Sequence, residues 1–378
     1  MIKVVHIITG LSVGGAENML FKLVSGMDRS EFAPEVISLS GVGPVGEKMQ
    51  AAGIPVRALN MRPSLPNPAL LLRLTQWLRE SHPQVVQTWL HHADLLGGIA
   101  SRRAGRLPLA WNIRHSNLDP ATIKRQTILI GQACARLSHS LPQRIVCCSE
   151  AGRDEHMRLG YAPDKLIVIP NGFDLTAYQP SLSAQSAIRA ELGIPLGAPL
   201  IGLIGRFHPM KDHATFVQAA ALLHPLRPDV HFLCCGEDVT WQNATLADRI
   251  RERGLCDRFH LLGQRRDIPQ IAAALTLGTL CSLYGEGFPN VVGEAMACGV
   301  PCVVTDVGDS VMIVGETGRV VPLRAPAALS EAWKHLLELD PAEQQRIAMA
   351  ARERVETHFA LPSVVGRYQQ LYKDMSRA

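Results

Sequence analysis

The stretch of this chain best suited to chemistry is Tyr284-Gly285-Glu286-Gly287-Phe288-Pro289-Asn290-Val291-Val292-Gly293-Glu294, in which two glutamates are separated by seven residues. An apolar run precedes it. The pattern predicts a strand that ends, a turn that carries Glu286, and a short helix that begins near Asn290 and stops at Gly299. The helix start offers the amides of Asn290, Val291 and Val292, and its dipole suits a diphosphate. Glu286 in the loop and Glu294 about one turn into the helix could accept hydrogen bonds from sugar hydroxyls along the same ligand. A second loop, Gly205-Arg206-Phe207-His208-Pro209-Met210-Lys211-Asp212, follows the apolar run Leu200 to Ile204 and supplies two cations. A departing diphosphate gains negative charge, so Arg206 and Lys211 would favour the transition state over the ground state. Fixed cations also replace a divalent metal, and no Asp-x-Asp cluster is present to hold one. No metal or other cofactor is expected.

The N-terminal half holds weaker signals. A β-branched run, Lys3 to Ile8, leads through Gly14-Gly15 into Ala16-Glu17-Asn18-Met19-Leu20-Phe21-Lys22-Leu23, which has helical periodicity. This reads as strand, glycine loop and helix, a weak phosphate-cradling pattern by itself. His115 follows another strand pattern, Leu109 to Ile113. His91-His92 with Asp94 could handle protons but lacks a third ligand at metal-site spacing.

The elements that must position these residues alternate. Strand patterns at Lys3 to Ile8, Glu35 to Leu39, Val56 to Leu59, Val85 to Thr88, Leu109 to Ile113 and Arg144 to Cys148 are interleaved with helical stretches such as Leu70 to Glu80. That alternation implies a parallel sheet covered on both faces, with ligands at the carboxyl ends of its strands. The stretch Gln179-Pro-Ser-Leu-Ser-Ala-Gln reads as a linker. Beyond it the plan repeats, with strands near Pro199 to Ile204, His231 to Cys235, Arg258 to Leu261, Gly278 to Leu283, Pro301 to Thr305 and Gly318 to Val321. Two domains fit the length of 378 residues.

Composition narrows the class further. With 47% hydrophobic and 19% charged residues the chain can bury a sizeable core. The longest apolar candidate, Ile271 to Leu283, is too short to cross a membrane, and the first residues run straight into a strand pattern without a secretory leader. A cytoplasmic location is expected. The nine cysteines include no Cys-x-x-Cys pair and sit mostly in apolar runs, which argues against a disulfide framework or a zinc site. Residues 1–180 carry 19 Lys and Arg against 13 Asp and Glu, leaving 38 − 19 = 19 and 34 − 13 = 21 for the rest. The N-terminal part is therefore near +6 and the remainder near −2. A basic half suits an anionic partner, with Arg102, Arg103, Arg106, Lys124 and Arg125 as contributors, either to acceptor phosphate or to an anionic membrane face.

Taken together, Gly14-Gly15-Ala16-Glu17, Pro170-Asn171-Gly172-Phe173-Asp174, Gly205-Arg206 through Lys211, Leu262-Gly263-Gln264-Arg265-Arg266-Asp267 and the Glu286 to Glu294 motif resemble the retaining glycosyltransferases of family four, the group 1 glycosyl transferases, over nearly the whole chain. The resemblance implies an α/β GT-B fold, in which two facing Rossmann-like domains enclose a deep interdomain cleft. It divides the chain into an acceptor-binding domain, 1–178, and a nucleotide-sugar-binding domain, 179–357. The amphipathic tail, 358–378, would cross back to the first domain. Donor-binding residues would be Gly14, Gly15, Arg206, Lys211, Gly287, Phe288, Asn290, Val291 and Glu294. Arg206 and Lys211 would hold the diphosphate, Glu294 the ribose, and the turn from Gln264 to Ile268 would lie near the nucleobase. Glu286 and His115 would meet the reacting sugar as catalytic residues. The partners implied are a nucleotide-sugar donor and a glycan or lipid-linked acceptor of envelope polysaccharide or glycolipid synthesis, with no nucleic acid. Gly308 is followed by Asp309-Ser310 where many members have a second glycine, a departure that bears on that loop's contacts. Rival readings are a nucleotide-sugar epimerase of the same fold and a noncatalytic nucleotide-sugar-binding subunit. A nicotinamide dehydrogenase fits less well, because Gly10 to Gly15 lacks the Gly-x-Gly-x-x-Gly spacing and no acid ends the second strand.

Overall fold

The computed structural model of the chain describes residues 1–61, 68–114 and 125–377. It separates into two compact units: residues 1–172 with 361–378, and residues 173–360. In the first unit β1 (Ile2–Ile8), β2 (Phe32–Ser38), β3 (Val56–Ala58), β4 (Val85–Trp89), β5 (Leu109–Ile113), β6 (Arg144–Cys147) and β7 (Leu166–Val168) form a parallel sheet in the order 3-2-1-4-5-6-7. In the second, β8 (Leu200–Ile204), β9 (His231–Cys235), β10 (Phe259–Leu261), β11 (Leu277–Leu280), β12 (Cys302–Thr305) and β13 (Arg319–Val321) are ordered 10-9-8-11-12-13. Strand order reverses between β1 and β4 and between β8 and β11. In open α/β sheets such a reversal leaves a crevice beyond the strand ends, because the two flanking loops depart in opposite directions.

Strands buried on both faces are expected to be largely apolar, and β8 is wholly so, while β1, β4 and β9 are apolar runs that admit a few polar residues, among them His6, Gln87 and His231. Phe216, Phe232, Phe259 and Trp333 form an aromatic centre in the second unit, with ring centroids 5.2 to 6.1 Å apart. The final helix, Leu361–Arg377, places Val364, Val365, Tyr368, Leu371, Tyr372 and Met375 in a core cluster of the first unit. Its two tyrosines also bond buried amides within the strands: Asn112 Nδ2 donates to the Tyr368 hydroxyl at 3.0 Å, and the Tyr372 hydroxyl donates to Gln87 Oε1. Such pairing offsets the cost of burying either partner alone.

Two local expectations fail. Much of the stretch read as a linker is a helix, Leu182–Leu192, because Ser181 caps its start by accepting from the Ala184 amide at 3.1 Å and Gly193, at φ 66°, ends it. Helix capping by a serine after a proline imitates linker composition. The short strand β7 went unrecognised, since three residues are too few to show periodicity.

Burial also makes the second unit acid-sensitive. His213 is 3% exposed, and desolvation, followed by the nearby Lys211 charge, lowers its pKa to about 4. Below the ordinary histidine value of about 6.5 the unfolded chain takes up a proton that folded His213 refuses. Stability contributed by neutral His213 is therefore complete above about pH 6.5 and lost as pH falls toward 4. Denaturant melts at pH 7 and pH 5 should show a smaller acid-induced loss in His213→Gln than in the wild type; equal losses would refute the assignment.

Candidate functional site

In the second unit two loops flank the reversal, one after β8 and one after β11. The first is fixed by its neighbours: Gly205 N donates to Cys235 O at 2.8 Å and Phe207 N to Glu237 O at 2.7 Å. Gly236 lies so close that a Cβ there would fall 2.2 Å from the Gly205 carbonyl oxygen. Lys211 ends a single helical turn, Pro209–Lys211, and its stem passes over Gly205. Asp212 then caps the next helix by accepting from Thr215 N at 3.2 Å and Thr215 Oγ1 at 2.6 Å. The two loops are tied where Leu283 N donates to Met210 O at 2.8 Å.

Glu286 sits at their junction, 9% exposed. Its Oε1 accepts from Lys211 Nζ at 2.5 Å and from Ser282 Oγ at 2.6 Å. Oε2 has no partner among the described residues. One oxygen is thus doubly engaged and the other is not. Lys211 was expected to serve a diphosphate alone, whereas its ammonium also neutralises Glu286, as a buried carboxylate requires. Arg206 is exposed and without a partner among the described residues.

The loop after β12 clamps this junction. Gly308, at φ 60°, approaches so closely that a Cβ would stand 2.4 and 2.6 Å from the carbonyl oxygens of Glu286 and Gly287. Asp309 N donates to Gly287 O at 2.9 Å. Ser310 Oγ donates to Thr305 O at 2.5 Å and accepts from Val307 N at 3.2 Å. The serine of the unusual Asp309-Ser310 pair therefore braces the loop internally.

The helix of the motif spans Asn290–Ala297 and is followed by Gly299 at φ 71°. Val292 N bonds back to Pro289 O at 3.2 Å, so one of the three amides expected to face a ligand is engaged by the turn. Val291 is half-buried, and Asn290 is the first helical residue. Phe288 is buried, its ring stacked on Phe173 with centroids 6.0 Å apart and edge-on to Phe359 at 5.4 Å, so its side chain serves the core. Glu294 is half-buried, and burial followed by the Glu294 charge raises the pKa of the half-buried Tyr178 phenol. In the turn after β10, Arg265 is held by Asp267 at 2.8 and 2.7 Å and by Glu191 at 2.5 and 3.2 Å.

In the first unit Gly14 caps the helix Gly15–Gly26, and a Cβ on it would lie 2.3 Å from Glu17 Oε2. The glycine loop is covered by the chain's own carboxylate. Burial raises the Glu17 pKa, opposed by its backbone amide, the Ser12 hydroxyl and the Arg114 charge. Arg114 lies over the Trp89 ring at 5.2 Å and donates to Asn171 Oδ1. Its neighbour His115 lies outside the described residues, as does Lys124. The His91 and Asp94 side chains are buried: His91 Nε2 meets His156 Nε2 at 3.2 Å, and Asp94 accepts from Thr88 Oγ1. Desolvation holds the Asp94 pKa well above the usual carboxylate range. Among the described residues no group of three or more His, Cys, Asp or Glu could hold a metal ion.

Sequence reasoning missed Ser282. It precedes Glu286 by four residues, a spacing that could have flagged it.

Comparison with known proteins agrees with this geometry. The family described as "Glycosyltransferase Family 4" matches residues 13–177, and that described as "Glycosyl transferases group 1" matches 198–339. The UDP-Gal:alpha-D-GlcNAc-diphosphoundecaprenol alpha-1,3-galactosyltransferase of Escherichia coli is 26% identical over 310 residues, covering 81% of this chain and 79% of that protein. The lipopolysaccharide core biosynthesis mannosyltransferase of Rhizobium meliloti is 30% identical over 220 residues, 56% of this chain and 61% of that one. Anabaena HepE, solved in complex with UDP, superimposes with a TM-score of 0.87 at 25% identity over 100% of both chains.

The clamp on Glu286 has a direct test. Gly308→Ala places a methyl against two carbonyl oxygens at a backbone conformation that disfavours side chains, so it should destabilise the fold by about 2 kcal/mol or more. Gly197→Ala, with nothing within 4 Å of its Cβ, is the control. Indistinguishable denaturation midpoints for the two variants would show that the loop yields.

Proposed function

The chain belongs to the glycosyltransferases of family four, with the GT-B fold, and from that premise we propose a retaining, metal-free transfer in which residues 173–360 bind the nucleotide-sugar donor and the first unit binds the acceptor. The observation that carries this reading is the half-engaged carboxylate of Glu286, open at Oε2 beside the partner-free Arg206 at a strand-order reversal. An acceptor oxygen held by a fixed carboxylate suits a sugar hydroxyl, and an exposed guanidinium suits a phosphate.

The donor diphosphate lies against Arg206 and the shared ammonium of Lys211. As the bond between the anomeric carbon and the phosphate oxygen breaks, its electron pair stays on the nucleoside diphosphate, where the two cations stabilise it. The acceptor hydroxyl forms the new bond on the same face, and its proton passes to a phosphate oxygen of the leaving group. Glu286 Oε2 holds a donor-sugar hydroxyl and Glu294 the ribose. UDP is the first nucleotide to try, given the UDP bound by Anabaena HepE. The names of the E. coli and Rhizobium relatives favour a lipid-linked or glycan acceptor of the cell envelope.

The test is a panel of nucleotide sugars with polyprenyl-diphosphate-sugar and glycan acceptors. Arg206→Ala should lower turnover by about tenfold to a hundredfold, the loss expected for one charge contact to a leaving group. Undiminished turnover would remove Arg206 from the mechanism. A chelator should leave the rate unchanged, and the anomeric coupling of the product, read by proton NMR, should match the donor's; an inverted product would overturn retention.

Membrane contact is the remaining part of the proposal. No helix among the described residues is long and apolar enough to cross a membrane. Arg102, Arg103, Arg106 and Arg125 are all exposed in the first unit. The chain should co-sediment with anionic but not neutral vesicles, salt should release it, and charge reversal at Arg102, Arg103 and Arg106 should abolish the effect. Unaltered sedimentation of the reversed variant would make this patch ordinary solvated surface.

A further inference from the structure

We propose that Ser282 is a positioning residue that fixes the Glu286 carboxylate for the donor sugar, and that Ser282 is itself held by a buried file of hydroxyls running in from the loop after β12; this rests on the donor-sugar reading of Glu286 given above. Ser282, Thr305 and Ser310 are each no more than 1% exposed. A hydroxyl buried so completely must give its hydrogen to a partner, and here all three do. Ser310 Oγ donates to Thr305 O at 2.5 Å, Thr305 Oγ1 donates to Ser282 O at 2.7 Å, and Ser282 Oγ donates to Glu286 Oε1 at 2.6 Å. The file ends on the carboxylate. One residue on, Leu283 N donates to Met210 O at 2.8 Å, so the backbone around Ser282 is held from β12 on one side and from the Lys211 loop on the other.

A glutamate side chain has three rotatable bonds and, held at one point, can still turn its carboxylate about that point. Lys211 alone is such a point, because an ammonium is a compact charge on a flexible stem and attracts either oxygen. Ser282 removes the freedom by bonding the same oxygen that Lys211 takes, at 2.6 against 2.5 Å, from a position four residues upstream. Two donors converging on Oε1 decide which oxygen faces the protein. The Glu286 backbone is fixed separately, by the close approach of Gly308 and by the bond from Asp309 N to Gly287 O. Oε2 is thereby held in one place. A sugar hydroxyl gripped while the anomeric carbon loses its leaving group needs that constancy, since a misplacement of about 1 Å can cost on the order of a hundredfold in rate. The bare nucleotide has no sugar and needs nothing from Ser282.

The experiment pairs calorimetry with turnover. Affinity is measured for whichever of UDP, GDP and ADP binds the wild type best, and turnover is followed with that nucleotide's glucose, galactose or mannose conjugate and a polyprenyl-diphosphate-sugar acceptor. Ser282→Ala should lower kcat about tenfold or more while leaving nucleotide affinity within about twofold of the wild type. It should add no further loss once Glu286→Gln is present, since the hydroxyl acts only through that carboxylate. Thr305→Val, which keeps the shape and removes the hydroxyl that holds Ser282 O, should act in the same direction by a smaller factor, and it serves if Ser282→Ala folds poorly. Parallel loss of nucleotide affinity and turnover, or no loss of either, would make the file a packing feature and overturn the inference while leaving the Glu286 reading intact. A further loss in the Glu286→Gln background would do the same. Normal turnover in Glu286→Gln itself would remove the Glu286 reading and the inference with it.

Discussion

The ion pair between Lys211 and Glu286 is the contact on which the candidate site depends. A carboxylate buried to this degree is costly unless a cation and a hydrogen bond accompany it, and here one oxygen receives both at 2.5 and 2.6 Å. The pair joins two loops that leave the sheet on opposite sides of the strand-order reversal, so it sets their separation as well as their charge. The Lys211 ammonium has three donors, only one of which Glu286 uses, and a diphosphate arriving nearby meets a cation already fixed in place.

Holding such a pair requires the backbone to come close, and glycines do this at Gly236 and Gly308. Each sits where a Cβ would overlap a neighbouring carbonyl oxygen, Gly236 against Gly205 after β8 and Gly308 against Glu286 and Gly287 after β11. The loops after β9 and β12 thus brace, through backbone contacts, the loops after β8 and β11 that carry Arg206, Lys211 and Glu286. Asp309-Ser310 fits this account: the pair departs from the family pattern, yet its serine is turned inward onto Thr305 and Val307.

The first unit is organised differently. Its strand-order reversal lies between β1 and β4, where the glycine loop is closed over by Glu17, and its core is completed by a helix from the far end of the chain. The tyrosines of that helix reach Asn112 and Gln87, polar residues inside otherwise apolar strands. One polar atom of each buried amide is paired with a hydroxyl that arrives from 256 or 285 residues away.

Local sequence determined a great deal: alternating apolar runs located all but one strand, the amphipathic spacing of Val364, Val365, Tyr368, Leu371 and Tyr372 marked the final helix, and the ordered motifs identified the family. Those signals are short-range, arising from periodicities of two and 3.6 residues and from turn chemistry, so they are written in consecutive letters. The engagement of Lys211 with Glu286, the closure of Gly14 by Glu17 and the bracing of Ser310 onto Thr305 were decided only by tertiary structure. Lys211 and Glu286 lie 75 residues apart, and each could be read alone as a surface charge. What distinguishes a solvated glutamate from one with a locked oxygen is the set of neighbours that folding brings to it, and sequence spacing carries no measure of that distance.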